Sequence, residues 1–402
     1  MHIWLISAFE PTPIDNTRPM RFMGIADAAI ALGHRITFFS NTFRHSTKQF
    51  RYDKPTKIKV KEGYDLIFVG SPSYMKNISV KRMLSHYHYA KNLIKEAEST
   101  DKPDAIFMSI PPLSSSQFMS EWAKKNNIPI FFDIIDPWPD VFLKAIPEKM
   151  QSWASFPLSP FYKKIKYALS NCSGITAISN QYVNWAKEYN PNVPTAFFYP
   201  AVPFRNIQDS LKVLEPKRHD LNILRLTYAG SLASSYDIPT ILEAAKILND
   251  KHPGKTTFDI AGAGPQDKLV QEAQKLLPNV KFLGRLNRDE LLEQYAISDI
   301  GLMQHIKGAT QTVTYKVFDY LSAGLPIINS LQSEVVEMLA ENKVGMSHEA
   351  GNIHGLVSSI SGFIESPNLL NEYKSNALSY TSQFGDSTVV YKQLVSFIEA
   401  SK

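Results

Sequence analysis

The sequence predicts an α/β fold made of two doubly wound halves, each a mostly parallel sheet covered by helices. Three observations carry this expectation. An apolar strand at 3–7 leads through a loop into a helical run that stops at Gly33, and a second strand follows at 35–40. The same strand, loop and helix order restarts at Ile223. Late in the chain, Lys316-Val-Phe-Asp-Tyr-Leu-Ser-Ala-Gly-Leu-Pro-Ile-Ile-Asn329 reads as a helix, a glycine stop and a buried strand. Strands that alternate with helical patterns are what parallel sheets with crossover helices require.

Length and composition agree. At 402 residues the chain is long enough for two separate cores, and 44% apolar with 20% charged residues is ordinary for a globular protein. The net charge of +5 permits attraction to phosphate or anionic lipid and gives no argument for nucleic acid. The single cysteine, Cys172, excludes an internal disulfide and fits a reducing cytoplasm. The opening Met-His-Ile-Trp-Leu-Ile-Ser reads as a strand, not a signal peptide, and no apolar run reaches the ~18 residues of a membrane span.

In the first half, Thr17 is expected to cap a helix with Pro19 in its first turn and apolar positions Phe22, Met23, Ala26, Ala29 and Ile30. Strands are expected at 64–69, 128–134 and 174–179, with 103–113 a strand running into a rigid turn, and helices at 81–97 and 114–125. The basic, aromatic helix 81–97 and the aromatic-plus-lysine stretch 144–166 read either as packed helices with solvated faces or as surfaces that rest near lipid headgroups. The strand 128–134 delivers Asp136 into the proline-stiffened loop Asp136-Pro-Trp-Pro-Asp140. A carboxylate there suits a crevice wall, or it caps the following turn.

A polar, charged stretch running to Asp220 marks the domain boundary. The expected division is an N-terminal domain at 1–205, a C-terminal domain at 221–385, and a closing helix at 386–402 that packs back on the first. In the second domain three strands end in glycine turns, at Gly230-Ser231, at Gly262-Ala-Gly264 and at Gly284-Arg285-Leu286. Each turn alone is weak evidence. Together with 311–329 they point to one crevice at the carboxyl ends of the strands, where such folds bind ligands.

The stretch 316–329 resembles the nucleotide-sugar motif of retaining GT-B glycosyltransferases of family four, commonly Lys-Leu-Phe-Glu-Tyr-Met-Ala-Ala-Gly-Lys-Pro-Val-Ile. The resemblance implies a GT-B fold: two Rossmann-like domains facing a central cleft, with the donor held by the second. It implies that Asp319, in place of a Glu, binds the donor ribose, and that Gln311, eight positions earlier and again in place of a Glu, meets the donor sugar with Thr312 beside it. The backbone of Arg285 and Leu286 would meet the base, and Gly230, Ser231 and Gly264 would surround the diphosphate. Many family members carry Arg and Lys after the first strand of this half; neither appears between Gly230 and Asp237. Lys316, Lys307 and Arg285 are the cations available instead, and Lys316 is the favoured one. The Pro111-Pro112-Leu113 turn and the Asp136 loop resemble a subgroup serving bacterial surface polysaccharides, which makes Asp136 the catalytic candidate.

The implied function is transfer of a sugar from a nucleotide diphosphate sugar, UDP-linked, to a hydroxyl of a glycan or polyprenyl-diphosphate-linked acceptor. Neither metal nor cofactor is implied, and no nucleic acid partner. The implied location is the cytoplasm, peripheral on the inner face of the membrane. Two rivals share the fold. A nucleotide-sugar epimerase would need a carboxylate-rich signature that the sequence lacks. A non-catalytic partner subunit would account for Gln311 and for the missing cations.

Overall fold

The structure, a computed structural model, describes residues 1–144, 148–214 and 222–401, without side chains for 144 and 148–155. Part of the aromatic-plus-lysine stretch, including Ile146, and the end of the polar stretch through Asp220 therefore lie outside the described residues. The chain divides into two compact units, Met1–Tyr199 with Ser387–Lys402, and Pro200–Asp386.

The first unit is built on β1 (His2–Ile6), β2 (Arg35–Asn41), a small hairpin of β3 (Phe43–Arg44) and β4 (Gln49–Phe50), β5 (Thr56–Lys61), β6 (Tyr64–Val69), β7 (Ala105–Ile110), β8 (Ile130–Ile134), β9 (Gly174–Ala177) and β10 (Thr195–Phe197). Its main sheet runs β10-β9-β8-β7-β1-β2-β6-β5, parallel except for β5 against β6. The central strands β7 and β8 are buried at every residue, because helices cover both faces, and so they read as continuous apolar runs. The edge strand β5, Thr-Lys-Ile-Lys-Val-Lys, was not expected from the sequence. Its alternate lysines face water and blunt the edge against further pairing.

Helix Arg21–Ala31 starts later than the sequence suggested. Met20 is its N-cap residue, and Thr17 does not cap it. The reason is tertiary: Arg21 is drawn inward, 2% exposed, with Nε and Nη2 donating to the two carboxylate oxygens of Asp133 at 2.7 and 2.8 Å. Nη1 donates to the Phe198 carbonyl at 2.6 Å, and Asp133 also accepts from Thr176 Oγ1 at 2.6 Å. The bidentate pair with extra donors is the form in which a buried ion pair is tolerated. The closing helix Ser387–Ala400 packs on Arg21–Ala31, where the Tyr391 ring fills the space a Cβ on Gly24 would occupy.

The second unit contains β11 (Leu224–Ala229), β12 (Thr256–Ala261), β13 (Val280–Gly284), β14 (Ile300–Met303), β15 (Ile327–Asn329) and β16 (Gly345–Ser347). All pairings are parallel, in the order β13-β12-β11-β14-β15-β16. Counted within the unit this is 3-2-1-4-5-6, the doubly wound order whose direction reverses between its first and fourth strands. Its core joins Leu226, Phe258 and Ile300 on the sheet to Ile241, Leu248 and Ile360 on the helices. Among the described residues no helix is long and apolar enough to cross a membrane.

Candidate functional site

In the second unit the winding reverses between β11 and β14, so a crevice opens at their carboxyl ends. Tyr320, on helix Tyr315–Ser322, ties this point together. Its hydroxyl accepts from the Ala229 N–H at 2.8 Å and donates to the Leu302 carbonyl at 3.3 Å, one residue on each strand. The helix ends where Gly324 takes φ +71°, and β15 follows.

One turn earlier on the same helix, Lys316 reaches into the crevice. Its Nζ lies 4.4 Å from the ring centroids of both Tyr228 and Tyr236 and has no hydrogen-bond partner among the described residues. A Cβ on Gly230 would stand 2.7 Å from that nitrogen, so the glycine is what admits the ammonium to the end of β11. Burial pushes the Lys316 pKa down to about 7, against the opposing pull of Asp319. His305, after β14, has its pKa depressed to about 4, first by burial and then by Lys316. Its ring lies 4.9 Å from Tyr236, and neither ring nitrogen has a partner among the described residues. The crevice thus holds a buried ammonium and an imidazole N–H without acceptors among the described residues, donors that a polyanion satisfies.

The glycine turns stack against one another. The Gly262 N–H donates to the Gly284 carbonyl at 2.7 Å, and a Cβ on Gly262 would fall 1.9 Å from the Gly230 carbonyl oxygen. A Cβ on Gly264 would fall 2.6 Å from the Leu232 carbonyl carbon. The backbones at the ends of β11 and β12 can meet this closely only as glycine. Ser231 and Arg285 are exposed and Leu286 is half-buried. Gln311 lies in the loop before the helix with Oε1 buried and without a partner among the described residues. Thr312 is 2% exposed, and its carbonyl accepts from Ser333 Oγ at 3.4 Å. Asp319 is half-buried on the second turn, electrostatically coupled to Lys316. Of the three cations weighed from the sequence, Lys307 and Arg285 are exposed and only Lys316 Nζ is buried at the strand ends.

Sequence reasoning did not single out Tyr228, Tyr236, Tyr320 or His305. An aromatic residue in or beside an apolar strand reads as core, and only the crossing of chain segments shows that Tyr228, Tyr236 and His305 stand around Lys316 while Tyr320 bridges the strand ends. A separate cavity of about 650 Å³, lined by Gln208, Tyr295, Leu325 and Lys374 among others, lies toward the amino ends of β14 and β15, the opposite rim from this crevice.

Asp136 belongs to the first unit and is described on its own. It is half-buried at the carboxyl end of β8; its N–H donates to the Ile110 carbonyl at 3.3 Å and its own carbonyl accepts from Trp138 at 2.9 Å. Its charge acts on Arg82, whose guanidinium lies 4.9 Å from the Trp138 ring. The neighbouring Asp140 accepts from Tyr162 and Trp185 and is the carboxylate that anchors this loop. Beside β1, the half-buried Glu10 carries a carboxyl pushed up to about 7 by burial, the charge of Arg21 opposing.

Comparison with known proteins agrees with this geometry. Residues 214–379, within the second unit, match the family model described as Glycosyl transferases group 1. No curated protein sequence matches the chain. Among solved structures the chain is similar to sucrose-phosphate synthase from Thermosynechococcus elongatus, with TM-score 0.73 and 14% identity over 100% of both chains. It is also similar to HepE from Anabaena, solved with UDP and glucose, with TM-score 0.65 and 14% identity over 99% of both chains. A third is WaaG, a glycosyltransferase involved in lipopolysaccharide biosynthesis, with TM-score 0.66 and 15% identity over 99% of both chains. The chain has the GT-B fold of two Rossmann-like units, the second carrying the match to the group 1 glycosyl transferases.

Proposed function

We propose that the protein is a metal-independent, retaining glycosyltransferase of family four. It takes a UDP-linked sugar at the carboxyl ends of β11 and β14 and passes it to a hydroxyl of a glycan or polyprenyl-diphosphate-linked acceptor in surface polysaccharide synthesis. The observation that supports this best is Lys316, a buried cation without a hydrogen-bond partner among the described residues, set against Gly230 at the point where the winding reverses. In the reaction the bond from the anomeric carbon to the diphosphate breaks, its electron pair leaves with UDP, and the acceptor oxygen forms the new bond. The departing diphosphate gains charge, and an ammonium already in place stabilises it without reorganisation. Asp319 accepts the ribose hydroxyls, the glycine turns keep the strand ends free of side chains so that the phosphates can approach the backbone, and Gln311 and Thr312 face the sugar. Asp136, on the first unit, is the group that meets the acceptor hydroxyl and takes its proton.

Incubation with UDP-sugars and detection of released UDP tests the reading; a protein that binds UDP but neither hydrolyses nor transfers any donor is the partner subunit instead. We also propose that the first unit rests on an anionic membrane. Around the start of helix Val80–Glu98, Met75, Ile78, Val80 and Leu84 are 72%, 82%, 76% and 52% exposed, interleaved with Lys76 and Lys81. Apolar side chains among lysines suit a headgroup interface. Co-sedimentation with anionic liposomes should fall as salt rises, and equal recovery with neutral vesicles at low salt would count against it.

A further inference from the structure

The carboxyl ends of the first unit's strands carry a second group of cations, outside the donor site. Arg82, on the first turn of helix Val80–Glu98, is only 8% exposed. Its guanidinium is packed against three ring faces, 4.9 Å from Trp138, 5.5 Å from Phe9 and 5.8 Å from Tyr74. Nε donates to His86 Nε2 at 3.3 Å and Nη1 to the Asn77 carbonyl at 2.7 Å. Lys48 Nζ lies 4.8 Å over Tyr74, donates to Asn77 Oδ1 at 2.7 Å and stands 3.1 Å from His45 Nδ1. Lys164 Nζ donates to Ser114 Oγ at 2.7 Å. Arg82, Lys48 and Lys164 take part in no ion pair among the described residues.

The groups feel one another. His86 is depressed to about 3 by burial, then by Arg82, His45 and Lys164. His45 is depressed to about 4 by burial, then by Arg82 and Lys48. Both imidazoles are therefore neutral at pH 7, which leaves Arg82, Lys48 and Lys164 as the cations of the group, and among the described residues Asp136 is the carboxylate whose charge reaches Arg82. Three cations drawn together against a single carboxylate are unfavourable unless something bound supplies further negative charge.

We infer that this is the subsite for a negatively charged group on the acceptor, a phosphate ester or a carboxylate. Arg82 holds it with its planar fork, and Lys48 and Lys164 add charge from the sides. Trp138 and Tyr74, 4% and 3% exposed, hold the guanidinium in place, and of the three rings the half-buried Phe9 is the one left to meet the organic part attached to the anion. A neutral acceptor leaves the three cations against one carboxylate, so the subsite selects for anionic acceptors. Because Asp136 acts on Arg82, anchoring the anion also places a hydroxyl of the same molecule beside Asp136. The word acceptor rests on the glycosyltransferase reading above; the anion site does not.

The test keeps the two apart. The full-length protein, saturated with UDP, is titrated calorimetrically with glucose 6-phosphate, glucuronate and glucose. The expected result is that at least one of the two anions binds tenfold or more tightly than glucose and weakens as salt rises, the tighter one identifying the anion. Arg82→Gln should reduce that binding tenfold or more, and Lys48→Gln with Lys164→Gln several-fold, while UDP affinity stays unchanged. Should Arg82→Gln melt early or fail to fold, the two-lysine variant decides. Anions that bind no better than glucose, or whose binding none of these substitutions lowers, overturn the inference. Arg82-dependent anion binding in a protein that takes no UDP keeps the subsite and removes the donor reading.

Discussion

Lys316→Met keeps an apolar stem between Tyr228 and Tyr236 and removes the charge, so it isolates what the ammonium does. A hydrogen bond to a charged group contributes about 1.5–3 kcal/mol, so UDP affinity should fall roughly ten- to a hundredfold. The pH dependence is sharper still. With its pKa near 7, Lys316 is about half protonated at neutral pH in the unliganded protein. A diphosphate beside it favours the charged form, so UDP binding at pH 7 should take up about half a proton. Above pH 7 the dissociation constant should rise by up to about tenfold per pH unit. Stability moves the other way. The unfolded lysine keeps its proton up to about pH 10.5, whereas the folded one releases it near 7. Between those values the unfolded chain binds more protons, so the unliganded protein should gain stability as pH rises through this window, and Lys316→Met should flatten the trend. Each ring face returns about 1–2 kcal/mol to a desolvated ammonium. The net stability gain on substitution at pH 7 should therefore be modest, on the order of 1 kcal/mol. Calorimetry in two buffers of different ionisation enthalpy, with melts from pH 6 to 10, measures all of this. A variant whose UDP affinity and pH profile match the wild type would refute the role given to Lys316.

At Asp319, substitution by Asn should weaken UDP binding by about 1–3 kcal/mol with little change in melting temperature; unchanged affinity by calorimetry removes it from the ribose. For Asp136→Asn, steady-state kinetics should show turnover down by ~10²-fold or more, with UDP affinity and the melt preserved. Loss of activity and stability together would make Asp136 structural. At Gly262, a methyl group would fall 1.9 Å from the Gly230 carbonyl oxygen, so Gly262→Ala should force the two turns apart. A cost of about 1–3 kcal/mol in the melt, with weaker UDP binding, is expected. A variant with wild-type melting and affinity would show that the stacked turns carry neither function.

By itself the sequence determined the architecture of this protein. Apolar strands alternating with 3.6-period helices demand parallel sheets, because both patterns must be buried on the same core, and two doubly wound units follow from that order repeated twice, whereas GT-B was implied by the resemblance of 316–329. The helix at 315–322, its stop at Gly324 and the strand after it are local consequences of propensity and glycine geometry, and they were legible as such. The edge strand β5 was also within reach, since Thr56 to Lys61 alternates with period two, but its lysines hid it among charged loops. What the tertiary structure alone decided is which charges are buried and against what. On sequence alone Arg21 reads as a surface residue or as the partner of an acidic group, and only the fold shows that this group is Asp133, 112 positions away. Lys316 and Arg82 are each one lysine or arginine on an amphipathic helix until the ends of distant strands close around them. Periodicity reports the face on which a side chain lies, whereas desolvation depends on every segment that later packs against that face. The chemistry of both candidate sites comes from that second quantity.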